Sequence, residues 1–196
     1  MIFLIECIVA CILFTLMVKL ATWKKQTAFT NDYPPVVTDK LRTMGLIAEK
    51  PPARKQDYIR KAIAMVVFGF LFALVLRYVN GLTGFLPAAL TAYALWLVVD
   101  WYDFAVVDVL MAPLDKFYQK SGVSAFDPSA VKFHFIHSVY GMVLGLPVAV
   151  VAGLLVWLLG HVLLGLHVLL LILLLGILVH PGLLHLLLLI LLLGIL

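Results

Sequence analysis

The chain has 196 residues, of which 65% are hydrophobic and 12% charged, with a formal net charge of +4. So apolar a composition leaves too little polar surface for a water-soluble domain and points to an all-α integral membrane protein. The positive charge does not point to nucleic acid: Lys19, Lys24, Lys25, Lys40, Arg42, Lys50, Arg54, Lys55, Arg60 and Lys61 lie in or beside one stretch between two apolar segments, as in a cytoplasmic loop.

The first expected span covers about 2–21, long enough for a hydrocarbon core of about 30 Å. Its amino end carries Glu6 and the basic pair Lys24 and Lys25 follows with Trp23, the reverse of a signal peptide, so an uncleaved anchor with its amino terminus outside is expected. Cys7 and Cys11, four apart on one face, read as small packing residues and form no redox motif. An inner loop, 23–61, contains "YPPVVTDKLRTMGL". Two prolines preset a helix start, Val37, Leu41 and Met44 recur at helical spacing, and Gly45 stops it. A short amphipathic helix on the inner leaflet is expected, with Asp39, Lys40, Arg42 and Thr43 toward water and anionic headgroups. The "EKPPARK" stretch reads as a stiff basic linker.

A second span is expected over 62–79 and a third over 82–111, joined by a tight outer turn at Asn80–Gly84. A helix starting at Leu82 brings Asp100 to the inner rim after about 27 Å. A start at Leu86 leaves it near mid-membrane. Trp96, Trp101 and Tyr102 resemble an interfacial aromatic belt and favour the rim. After Pro113 comes a second inner loop, 113–132, and the fourth span covers 135–159, where Gly141, Gly145, Gly153 and Pro147 permit close packing or a kink.

From His161 the composition changes. "LLLILLLGIL" occurs at Leu169–Leu178 and again at Leu187–Leu196, each preceded by a histidine, His167 and His185. Pro181 and Gly182 interrupt the run, so residues 161–196 are expected to form a low-complexity, Leu-rich hydrophobic hairpin appended to a four-span core of 1–160. Leu183–Leu196 is short for a crossing.

On one helical face Tyr93, Trp96, Asp100, Asp103 and Val107 follow in order, with Asp108 rotated by about 80° from Asp100. His134 and His137 open the next span at the same end of an antiparallel hairpin. Asp100, Asp103, Asp108, His134 and His137 thus form a candidate ion or proton site, with a divalent metal as one occupant and polar helix-end pairing as the plain alternative. Haem is not expected, because His137 would have to pair with His180 in the tail. No nucleophile with a base and no phosphate-cradling loop stands out, so catalysis is not expected.

The stretches "WYDFAVVD", "HSVYGMVLGLPVAVVAGLLV" and "YPPVVTDKLRTMGLI" resemble a group of small uncharacterised bacterial four-span membrane proteins. The D-x-x-x-x-D of Asp103 and Asp108 is the most specific element, and the likeness covers residues 1 to about 160. It implies a bacterial inner membrane and four spans, and no activity. The reading that results is a non-enzymatic scaffold or accessory subunit, in a homo- or hetero-oligomer. The alternative is a small transporter or ion-binding protein using the Asp/His cluster.

Overall fold

The computed structural model describes residues 1–24, 30, 32–49, 54–124 and 126–179. The described residues are helical, without a strand. Three helices are long and apolar enough to cross a membrane: the first, the third and the last. In chain order they are α1 (Ile2–Lys24), α2 (Pro35–Thr43), α3 (Lys55–Tyr78), α4 (Phe85–Tyr102), α5 (Lys116–Gln119) and α6 (Pro128–Val179). A π-helical segment, Asp103–Met111, and a 3-10 turn, Ala112–Leu114, join α4 to α5.

The core lies where α3, α4 and α6 meet. It is built from small side chains: Ala73, Ala88, Ala92 and Ala152 are fully buried, with Leu76 and Val156. Small residues let helix backbones approach closely, which is how helices associate without a water-driven hydrophobic force. Glycines of α6 extend the contact. A Cβ on Gly153 would stand 2.9 Å from both Ala89 Cβ and the Phe85 carbonyl, and one on Gly145 would meet the Trp96 ring. Gly69 of α3 lies equally close to Val151. The α4–α6 contacts run antiparallel, from Thr83 beside Gly160 through Trp96 beside Gly145 to Asp108 beside His134. Trp96 Nε1 donates to the Gly141 carbonyl at 2.9 Å and Tyr93 to that of Met142 at 3.2 Å. The first helix lies against α4, with Thr15 and Tyr102 sharing a 2.8 Å hydroxyl bond and Asn80 donating to Glu6 at 3.1 Å.

Four features differ from expectation. Helix α3 starts at Lys55 rather than 62, because Asp57 accepts the Arg54 backbone N–H at 2.9 Å and caps the first turn. The segment 82–111 is not one α-helix: α4 has 18 residues and gives way to the π segment, and buried Pro113, which lacks a backbone N–H, sits in the turn that closes it. Helix α6 runs unbroken for 52 residues, about 78 Å, through Pro147 and past Gly160. The expected division at 160–161 is therefore no break in the backbone, since apolar Leu, Ile and Val continue the helix without a stop signal. The expected turn at Pro181–Gly182, the second arm 183–196, His180 and His185 lie outside the described residues, as do Lys25, Lys50 and residues 51–53 of the linker.

The fourth difference concerns α2. The helix forms as the sequence predicts, closing on Gly45 at φ +70° with Leu46 N–H bonded to the Leu41 carbonyl at 2.9 Å, a Schellman end. Its apolar face, however, packs largely on protein. Val37 and Leu41 are fully buried against Tyr33, Phe117 and Tyr118. Asp115 positions that platform by accepting the Phe117 N–H at 2.7 Å as the N-cap of α5. Burial, ahead of the nearby Asp115 and Tyr118, pushes the Tyr33 phenol above its usual range; burial and then Asp127 do the same to Tyr118. At the start of α6, hydrogen bonds from the Ser129 hydroxyl and backbone hold the Asp127 carboxyl below its usual range.

Candidate functional site

The π segment, the start of α6, the end of α1 and the Asp32–Tyr33 turn enclose a cavity of about 300 Å³. Asp103 and Asp108 line it from the π segment, His134 and His137 from α6, Lys19 and Thr22 from α1, with Asp32 and Asp115 from the loops. Phe14, Tyr33 and Phe133 supply aromatic walls.

Within this cavity one pair is joined directly. His134 Nδ1 lies 2.9 Å from Asp108 Oδ2. The imidazole is 4% exposed, and its Nε2 is buried without a hydrogen-bond partner. With the ring neutral, Nδ1 carries the hydrogen and donates it to the carboxylate, which leaves Nε2 as an acceptor.

The π geometry explains how Asp103 and Asp108 reach one cavity. Five residues apart on an α-helix are about 140° out of line. A π turn bonds each residue to the fifth along, as the Ala112 N–H does to the Val107 carbonyl, and brings such residues round to the same side of the helix. The D-x-x-x-x-D spacing is therefore a π spacing. The face predicted from α-helical periodicity, which grouped Asp103 with Asp100 and set Asp108 aside, is replaced by one that groups Asp103 with Asp108.

The other two expected residues stand differently. Asp100 lies deeper, between α4 and α6, with its carboxylate against Gly141 and Oδ2 buried without a partner. Helix α4 starts at Phe85, one residue from the second of the two expected starts, and Asp100 is wedged in the contact between α4 and α6. His137 is exposed; its Nδ1 meets the Phe133 carbonyl at 2.9 Å and its ring lies over Phe133 at 4.0 Å. Among the described residues no three His, Cys, Asp or Glu side chains are grouped to hold a metal ion. The five expected residues thus divide into a bonded pair, two further cavity walls and one packing acid.

Sequence spacing missed Phe14, Lys19, Asp32, Tyr33, Asp115 and Phe133. Only the tertiary fold brings α1 and the Asp32–Tyr33 turn beside the π segment. No family model, curated protein or solved structure matches the chain.

Proposed function

We propose that this chain is a four-span protein of the bacterial inner membrane, with α1, α3, α4 plus its π extension, and α6 as the spans, the amino terminus outside and the α2–α5 end in the cytoplasm. The likeness to small bacterial four-span proteins belongs to the same reading. In it, the Asp108–His134 pair is a proton-exchanging site open to the cytoplasm, and the protein is a small, non-enzymatic ion or proton carrier.

The observation that carries this is His134: buried, bonded through one ring nitrogen to a carboxylate, unpartnered at the other, and set in the wall of a cavity. Histidine with a carboxylate neighbour is suited to proton exchange, and ionisable side chains within membrane helices mark ion pathways. Lys19 faces the pair from α1, Asp103 from the π segment, Asp32 and Asp115 from the loops and His137 from α6. One feature of the backbone supports a carrier: the π segment, which interrupts the regular α-helix of one span.

The test is proton flux into liposomes containing the purified chain and a trapped pH dye. Wild type should dissipate an imposed pH gradient, Asp108→Asn and His134→Gln should each abolish the flux, and Asp100→Asn should retain it. Flux equal in all four, or absent from wild type, refutes the carrier. A second reading, a scaffold or accessory subunit, is favoured by Asp100, whose carboxylate fills the α4–α6 contact against Gly141. It predicts loss of assembly in Asp100→Asn and no effect of His134→Gln.

A further inference from the structure

We propose that residues 161–179 form a lipid-embedded segment of their own, turned back into the bilayer at a hinge between Gly160 and Gly165. The inference rests on the membrane placement of α1, α3, α4 and α6 proposed above, not on the carrier, and it adds a lipid-facing segment to the four-span core.

Helix α6 carries no Asp, Glu, Lys or Arg from Phe133 to Val179. Unbent, that stretch is about 70 Å of apolar helix, more than twice a hydrocarbon core of about 30 Å. Holding all of it in one bilayer would need a tilt of about 65°, whereas membrane helices tilt by up to about 40°. Helix α4 lies antiparallel along α6 and would tilt with it, so its 18 residues would cross only about 11 Å of the core. An upright α6 meets the opposite difficulty. Gly160 beside Thr83 makes the last interhelical approach found among the described glycines, at the outer end of the bundle. Beyond it α6 continues for about 28 Å. On that stretch Val162, Leu166, Val168, Leu170 and Leu171 are about half exposed or more, and at helical spacing they point to all sides. Such a surface is costly in water, and its length matches one hydrocarbon core.

A bend costs least between Gly160 and Gly165. Glycine is the weakest helix former after proline, and Gly165 has nothing packed within 4 Å. His161 lies between the two, with its ring 4.4 Å from that of Trp157 and its Nδ1 2.8 Å from the Trp157 carbonyl. With its hydrogen on Nδ1, the imidazole donates to that carbonyl, which therefore keeps a partner when the backbone N–H above it swings away. Trp157 suits the headgroup level, where water pairs the other backbone groups that a bend opens. The bend returns 161–179 through the same bilayer, with hydrocarbon around it in place of water.

The experiment uses the full chain with Cys7→Ala and Cys11→Ala, and spin labels at Val150→Cys and Leu171→Cys, both exposed positions. In lipid nanodiscs the folded-back segment predicts a separation of no more than about 20 Å; the straight helix predicts about 32 Å. The label at Leu171→Cys should be relaxed by oxygen and not by a water-soluble nickel chelate. A separation of about 32 Å, or relaxation by the chelate, overturns the proposal. So does a label shielded from both reagents, which buries the segment in protein, or a short separation lost on dilution with unlabelled chain, which assigns it to a second copy. In right-side-out vesicles a membrane-impermeant maleimide should reach Tyr78→Cys directly and Leu114→Cys only after lysis, both side chains being exposed. Labelling of both from one side refutes the membrane placement; labelling from opposite sides with the long separation refutes the hinge alone.

Discussion

Gly153 offers a quantitative test of the helix packing. A Cβ there meets the Phe85 carbonyl and Ala89 Cβ at 2.9 Å and Phe85 Cδ2 at 3.0 Å. Two of these atoms cannot turn aside, one belonging to backbone and one being the first atom of a side chain. Gly153→Ala therefore forces α4 and α6 apart, an overpacking cost of about 1–3 kcal/mol. Alanine also favours the helix by about 1 kcal/mol over glycine, so the net change runs from about neutral to about 2 kcal/mol destabilising. Gly165 in the same helix has nothing within 4 Å, and Gly165→Ala isolates the propensity gain. The difference between the two variants, about 1–3 kcal/mol, removes the propensity contribution and reports packing alone. Reversible unfolding by SDS in mixed micelles, followed by tryptophan fluorescence, to which Trp96 in the α4–α6 contact contributes, measures it. Equal shifts for both variants would show that α6 does not approach α4 through Gly153.

Three further outcomes follow from the same contacts. Tyr118, 2% exposed, anchors the platform under α2; Tyr118→Ala should cost about 3–5 kcal/mol locally and accelerate hydrogen exchange over residues 36–43, with α3 and α6 unchanged. Because burial raises the Tyr33 and Tyr118 phenols above their unfolded values, the docked state keeps both neutral while the free loop ionises. Its stability is full below about pH 10 and falls as pH rises beyond that, which exchange of the same amides should show as a release of α2 in alkali alone. Removing residues 161–196 should leave the SDS unfolding midpoint unchanged, since Gly160 beside Thr83 makes the last interhelical approach found among the described glycines and Val162, Leu166 and Leu170 are more than half exposed; a large fall would assign the Leu-rich run a structural role.

Much of the bundle is legible in composition and spacing. Gly141, Gly145 and Gly153 mark the packed face of α6, and Val37, Leu41 and Gly45 give α2 with its end. The partner of α2 is not legible, because an amphipathic face has the same pattern whether lipid or Tyr118 covers it. The π segment is not legible for a related reason. Apolar periodicity assumes 3.6 residues per turn, and Phe104, Ala105, Val106 and Val107 are apolar on every side. Yet the five-residue interval between Asp103 and Asp108, read as a π turn, is the one local mark of the cavity. His134 and His137 look equivalent in sequence; the antiparallel register against α4 buries the first beside Asp108 and leaves the second exposed.

The proton state of His134 tests the central claim most directly. Selective ¹⁵N labelling of histidine, with the chain in lipid nanodiscs, reports each ring nitrogen by NMR, and His134→Gln assigns the signal. The account predicts hydrogen on Nδ1, bonded to a carboxylate, and a bare Nε2. Hydrogen on Nε2 with a bare Nδ1 would contradict it.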